Sequence, residues 1–458
     1  MQMKSFRNGL VTATALSSAF WANAAWADCV SQAPVNPNQV VCDNPGTGGW
    51  NGSATNGIVV TVNAGSNVTT NVGGPAVIST GANSAVINAA GNFNNSWAPN
   101  FGINAGSNTA AAISVGGGSI VTNASNAEIQ GTVTFGNATG AAVNVLNNNY
   151  SASGSTNLIG YIFGNISAQG NFTFNNGGLV DSAVTQTGAG TVAINNGMDG
   201  GWVSAAVGGY SYQNGVLWGI GGNAVTTAGN TTLVNHGGGN IMGGLIRGNV
   251  TLGTGATGSS SLTNGSQAGG NATIMGSVTM ADRNNTITND GTITGNVTMN
   301  GTGSNVFNAG SSGSAGDNGL RLPGSQIDGS GNPTGTVTGT LTGLAANAAN
   351  NTLNLNGTGS STLQVGTTIL NFGVVNKNDS GTWTIKNTLD GNPGSLTTVN
   401  INDGVLSVDN ASFLGSSATT VHNNSGGSGF GGLIFNGTAA GTFAGNIDGT
   451  GNATVTGA

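Results

Sequence analysis

The sequence predicts an all-β chain wound as a parallel β-solenoid, and three observations carry the prediction. Runs of alternating apolar and small polar residues fill the chain from about residue 51 onward. Gly or Asn breaks those runs every few positions. A phrase of the form Ile-x-Gly-x-Val returns at intervals that fit a coil of roughly 20 residues.

The alternation comes first. Ile58-Val59-Val60-Thr61-Val62-Asn63, Ala112-Ile113-Ser114-Val115 and Thr352-Leu353-Asn354-Leu355-Asn356 place Val, Ile or Leu on one side and Thr, Asn or Ser on the other. That is the two-residue period of a half-buried strand. Gly and Asn suit the left-handed backbone of tight corners. No apolar pattern of helical period runs for a useful length beyond residue 27.

The repeated phrase sets the winding. Ile129-Gln130-Gly131-Thr132-Val133 returns as Ile162-Phe163-Gly164-Asn165-Ile166, then as Ile246-Arg247-Gly248-Asn249-Val250. Two more copies follow at Ile274-Met275-Gly276-Ser277-Val278 and Ile293-Thr294-Gly295-Asn296-Val297. The interval from Gly276 to Gly295 reads as one coil and that from Gly164 to Gly248 as four, with loop insertions lengthening the others. A coil of roughly 20 residues holds three short strands with a corner after each, and stacked coils share a narrow core. Asparagines at equivalent positions are expected to stack into amide ladders. Roughly 20 coils at about 4.8 Å each predict a rod on the order of 100 Å long.

Composition agrees. The 458 residues include 84 Gly and 67 Asn, with 7 Lys or Arg and 14 Asp or Glu. Only 5% of residues are charged, against about a quarter in ordinary domains. Surface helices need charged faces that this chain does not supply. An acidic chain with so few cations does not neutralise a phosphate backbone, which excludes nucleic acid as a partner. Disordered chains are usually highly charged, so generic disorder fits poorly as well.

The first residues read as an export signal. Lys4 and Arg7 form a positive start, Leu10 to Ala24 is mildly apolar, and Ala25-Trp26-Ala27 is a small-x-small cleavage site. Residues 1–27 are the expected signal peptide, and residues 28–50 the N-terminal cap. Cys29 and Cys42 stand in that cap with no histidine nearby, so an oxidising compartment predicts a disulfide. Residues 51–458 are the expected solenoid, interrupted by a surface loop over residues 308–335, where Pro323 and Pro333 break the alternation.

The signal, the Gly/Asn/Thr-rich coils and the end of the chain together resemble passenger domains of Gram-negative autotransporters (type V secretion). The closing likeness is Leu433-Ile434-Phe435-Asn436-Gly437 followed by Phe443-Ala444-Gly445-Asn446-Ile447-Asp448-Gly449-Thr450-Gly451, which is similar to the start of autotransporter-associated strand repeats in residues 433–458. The resemblance implies a right-handed β-helix of pectin-lyase-like kind, exported through the inner membrane to the cell surface, outer membrane or medium. It implies an adhesin or structural role, with glycans or proteins of a host or neighbouring cell as partners. The family ends in a translocating barrel of roughly ten-residue lipid-facing strands, and this chain lacks such strands, so the C-terminal barrel is expected to be missing. A passenger crosses a narrow pore unfolded, which few charges and a short disulfide loop ease.

Catalytic chemistry is sparse. A polysaccharide-processing β-helix is the enzyme alternative, and glycoside hydrolysis needs two carboxyl groups about 5 to 9.5 Å apart. The local acid pairs are Asp282 with Asp290 and Asp403 with Asp409, all in Asn/Gly turns. His236-Gly237-Gly238-Gly239 mimics an esterase oxyanion loop, but no G-x-S-x-G elbow accompanies it. His422 reads as a solvated loop residue. No catalytic residue, cofactor or metal is expected.

Two binding readings remain. Residues 197–220 concentrate Trp202, Tyr210, Tyr212 and Trp218, which either project from a hairpin to anchor a partner or plug a wide coil. Thr-x-Thr pairs, among them Thr132 with Thr134, Thr286 with Thr288, Thr292 with Thr294, Thr336 with Thr338 and Thr340 with Thr342, suggest an ice- or surface-binding solenoid. Their linear spacing is irregular, so no clean ladder is expected.

Overall fold

The computed structural model describes residues 29–456 except 33, 44, 47, 70–75, 90–101, 154–155, 198–201, 205–210, 214–215, 219–222, 237–243, 256–257, 266–271, 311–338, 364–367, 426–431 and 438–440. The signal peptide lies outside the described residues.

One coil shows the plan. Ile120–Asn123 lies in a first sheet, Glu128–Gln130 in a second and Thr132–Ala138 in a third, and Asn144–Asn148 returns to the first. The first three sheets contain seventeen, ten and twelve strands. Their rung-to-rung pairings are parallel, and the chain is a parallel β-solenoid. In many strands the alternating pattern buries every second side chain, as in Asn144–Asn148 and Asn305–Ala309.

The core is a set of stacked columns. In the first sheet one column runs by register through Val60, Val86, Val121, Leu146, Phe174 and Ile194, and continues to Val399 and Val421. These side chains are fully buried. No coil buries enough apolar surface alone; stacking makes the interior continuous.

The repeated phrase stacks on itself. Ile129 lies beside Ile162 and Val133 beside Ile166; Ile246, Ile274 and Ile293 form one run, and Val250, Val278 and Val297 another. The interval from Gly164 to Gly248 holds three steps, from Ile162 through Val180 and Val203 to Ile246, and not four. An antiparallel hairpin, Ser211–Gln213 with Val216–Trp218, lengthens the last of these. In the first sheet the steps from Phe174 to Ile194 and from Ile287 to Phe307 are among the shortest. The step from Phe307 to Leu353 is the longest, more than twice either of those.

Sixteen of the seventeen first-sheet strands are parallel rungs, from Asn36–Cys42 to Asn446–Asp448. At about 4.8 Å per step they make a rod on the order of 70 Å. That is shorter than 20 coils would give, because insertions at the corners consume residues without adding rungs. Asn308 and Ala309 belong to the strand Asn305–Ala309, so the expected loop at 308–335 begins later; residues 311–338 lie outside the description.

At the front, Val30–Gln32 runs antiparallel to Asn36–Cys42 and covers the edge of the first rung. Cys29 and Cys42 are disulfide-bonded and buried. Covering an edge strand blocks its pairing with another chain.

The cross-section changes late in the chain. The third sheet ends at Thr368–Leu370, and a five-stranded fourth sheet runs from Ser360–Leu363 to Asn452–Val455. Trp383 fills the core there, its Nε1–H donating to the Asn356 carbonyl at 2.9 Å. Beyond the third sheet the remaining side is built from turns and the short 3-10 helix Ala411–Leu414.

Repetition satisfies many of the polar groups inside the rod. Asn88, Asn123, Asn148, Asn176, Asn196, Asn235, Asn264 and Asn289 form one buried amide ladder, each Nδ2 donating to the next Oδ1 at 2.7 to 2.9 Å. The expected ladders are present, and outer ones exist too, such as Asn354, Asn376 and Asn400.

Candidate functional site

The third sheet carries the most regular surface. Its buried column runs from Ile78 and Ile113 through Val250, Val278 and Val297 to Leu341. The residue after each core residue points to the opposite face. That outward column reads Ser79, Ser114, Thr134, Ser167, Thr185, Thr226, Thr251, Thr279, Thr298 and Thr342 without a break. Asn51 precedes it and Leu370 follows it.

Ten hydroxyl groups thus stand in register, about 4.8 Å from one to the next. Ser79 is buried, Thr134 is exposed and the others are half-buried. None of the ten side chains hydrogen-bonds to a described residue; the backbone pairs with backbone, and the nine hydroxyls beyond Ser79 are left for what lies outside. The adjacent corner column is neutral as well. There Asn249 Oδ1 accepts from Ser277 N at 2.9 Å, and Asn296 Oδ1 from Thr340 N at 3.1 Å.

This column is made of single Ser and Thr residues and not of the Thr-x-Thr pairs, and the irregular linear spacing of threonine did not reveal it. The Thr-x-Thr pairs themselves fall on different sheets. Thr132 with Thr134 and Thr340 with Thr342 lie in the third, Thr286 with Thr288 in the first, and Thr292 begins a strand of the second. Thr336 and Thr338 lie outside the described residues. A better signal was present: every repeated phrase carries Ser or Thr immediately after its last apolar residue.

The aromatic group is divided by the fold. Trp202 lies in a second-sheet strand between Leu179 and Leu245, not in the hairpin. Tyr212 and Trp218 are in the hairpin, opposite Leu217 and Ser211. Tyr210 lies outside the described residues.

The acid pairs are kept apart. Asp282 and Asp290 flank the strand Asn284–Asn289, and Asp403 and Asp409 flank Val405–Val408. At about 3.3 Å per residue the strands between them alone span roughly 17 and 10 Å of backbone, so neither pair is a close one across a single glycosidic bond. Asp282 is fully buried and accepts from Ser260 Oγ at 2.9 Å. His422 is in the strand Thr420–Asn423 and not in a loop, with Nδ1 2.6 Å from Asp448 Oδ1. His236 ends a rung, its N–H donating to the Asn196 carbonyl at 2.7 Å, and residues 237–239 lie outside the description.

Sequence reading missed four buried titratable groups. Glu128 and Asp181, both in second-sheet strands, are buried, and burial pushes each carboxyl up to about 7. Arg247 lies on the same sheet and burial lowers its pKa. Lys377 occupies a core column of the first sheet; its Nζ donates to the carbonyls of Asn378, Asp379 and Asp403 at 2.5, 2.6 and 3.0 Å. Burial lowers its pKa to about 8, against the opposing pull of Asp379 and Asp403. Among the described residues, no group of three or more His, Cys, Asp or Glu is placed to hold a metal ion. No family model, curated protein or solved structure matches this chain.

Proposed function

We propose that the chain is an exported, surface-displayed solenoid passenger that works by adhesion and not by catalysis. The observation that carries this reading is the third-sheet column of ten hydroxyls with no partner among the described residues. A long, neutral face whose donors and acceptors repeat at the strand spacing suits contact with an extended surface better than capture of one small molecule. The export signal read at residues 1–27 and the scarcity of charge support display outside the cell. The autotransporter route belongs to the same proposal.

The test uses beads coated with the purified chain and challenged with cell and polysaccharide surfaces. Retention is expected, with strong loss in the double variant Thr185→Lys/Thr251→Lys, whose new charges interrupt the ladder. Equal retention of that variant and the parent chain would sink the reading.

The strict register of the ladder favours a second reading, binding to a crystalline surface such as ice. Its repeat is fixed by strand spacing at about 4.8 Å, so its hydroxyls form a regular row. An ice-recrystallisation assay separates the two. Inhibition that the same double variant abolishes supports ice, and unchanged crystal growth removes it.

A further inference from the structure

A groove of about 590 Å³ opens where the third sheet has ended, beside the fourth. Thr362 and Thr384 come from neighbouring strands of the fourth sheet, and Lys386, Asp409 and Asn436 follow the ends of three consecutive strands. Ile385 pairs with Val408 and Val408 with Phe435, so Lys386, Asp409 and Asn436 occupy successive rungs. The backbone confirms the stacking: Lys386 N donates to Leu363 O, Asp409 N to Ile385 O and Asn436 N to Val408 O, at 2.9 to 3.0 Å.

The charges here are unspent. Neither the Lys386 ammonium nor the Asp409 carboxylate makes a hydrogen bond or ion pair with a described residue, although they stand on adjacent rungs. The chain has only 7 cations in all, and two others, Arg247 and Lys377, are buried. A free Lys and a free Asp at one groove are therefore the exception in a surface built from Asn, Thr and Ser.

One wall is aromatic and fixed. Phe413 sits on the 3-10 helix Ala411–Leu414, which Asn410 caps: its Oδ1 accepts from Ser412 N at 2.9 Å and from Ser412 Oγ at 2.8 Å. Leu414 is buried beneath, and Phe413 packs partly against the core. The Leu389 N–H donates to the Phe413 carbonyl at 2.8 Å. Asn436 Oδ1 is held by Thr456 Oγ1 at 3.0 Å, which leaves its amide hydrogens for a ligand.

We propose that this groove binds a neutral oligosaccharide. An anion would face Asp409 and a cation Lys386, whereas an uncharged polyol satisfies both, because hydroxyl groups donate to the carboxylate and accept from the ammonium. Thr362, Thr384 and Asn436 add neutral donors and acceptors, and the Phe413 ring offers an apolar face for the C–H side of a sugar. The volume lies within the range of small-ligand sites and suits a short oligomer. This deepens the adhesive reading and rests on it for the setting in which such a ligand is met.

The test is titration calorimetry of the purified chain with hexamers of α-1,4-, β-1,4- and β-1,3-linked glucose, each separately. Saturable heat is expected with at least one of them. Asp409→Asn and Phe413→Ala should each weaken binding at least tenfold. Because Phe413 also touches the core, Asp409→Asn and Lys386→Met, which leave the melting temperature unchanged, are the decisive variants. No heat with any hexamer, or binding that both decisive variants leave within twofold, overturns the proposal. The bead assay run in parallel keeps the two readings apart. Heat in a chain that fails to adhere sinks adhesion and leaves the groove standing, and adhesion without heat does the reverse.

Discussion

Asn235 donates from Nδ2 to Asn264 Oδ1 at 2.7 Å, and its own Oδ1 accepts from Asn196 at 2.7 Å. The ladder therefore has a direction, and its two ends differ from its middle. At the front, Asn88 lies beside Val62 and its buried Oδ1 has no partner. At the far end Asn289 lies beside Ala309. Asn235→Ala should leave an unmet acceptor on Asn264 and an unmet donor on Asn196, at about 1 to 3 kcal/mol each. Asn88→Val should cost less: it removes one orphaned oxygen while taking a donor from Asn123 Oδ1 and the Glu128 carbonyl, whereas Asn235 also donates to the carbonyls of Gly244 and Thr273. Thermal melting of both variants checks the order; equal losses would show that the ladder is not cooperative in this way.

Stability should pass through a trough near pH 7 to 8. Glu128 and Asp181 have carboxyls raised to about 7 in the folded chain, so the native state holds protons that the unfolded state has released. Their stabilising effect is complete below about pH 4 and lost as pH rises through 7. Lys377 acts in the opposite range. With its pKa lowered to about 8, the unfolded chain holds more protons between roughly pH 8 and 10.5, and stability rises there. Melting temperatures across pH 4 to 10 test this. Glu128→Gln with Asp181→Asn should flatten the acidic limb, and Lys377→Met the alkaline one.

The disulfide should act locally. Cys29 to Cys42 closes a loop of roughly 14 residues, worth about 3 kcal/mol in the chain-entropy model. In a solenoid each rung contacts only its neighbours, so the loss should be confined to the front of the rod. Hydrogen exchange in Cys29→Ser/Cys42→Ser is expected to rise over Asn36–Cys42 and stay unchanged over Asn284–Asn289. Faster exchange along the whole rod would contradict that.

The winding was legible because the period of two and the corner glycines are properties of the chain itself. The surfaces were not, because register discards linear distance. Thr298 and Thr342 are more than twice as far apart along the chain as Thr279 and Thr298, yet both pairs are neighbours in one ladder. Insertions at corners scramble the intervals without disturbing the column. The groove was hidden for the same reason: Lys386 and Asp409, distant in the chain, meet only because Ile385 pairs with Val408. His422 read as a loop residue because its flanking Asn and Ser resemble turn sequence, whereas Val421 beside it fills the core.

The glycine of the repeated phrase offers the sharpest test of the winding itself. A Cβ placed on Gly276 would overlap the carbonyl of Gly248 on the preceding rung, and one on Gly295 would overlap the backbone of Gly276. Gly276 does not have a positive φ, so the demand is for space and not for left-handed backbone. The obstructing atoms are main chain, and they are fixed by bonds such as Gly295 N to Gly276 O at 3.0 Å. Gly65 is the contrast: its φ is +83° and nothing lies within 4 Å of its would-be Cβ. Gly65→Ala should cost about 1 kcal/mol, the penalty of one left-handed alanine. Gly276→Ala should cost about 3 kcal/mol or more, because two rungs must separate to admit a methyl group. If the two substitutions lower the melting temperature equally, neighbouring corners are not in contact, and the stacking of the repeated phrase is wrong.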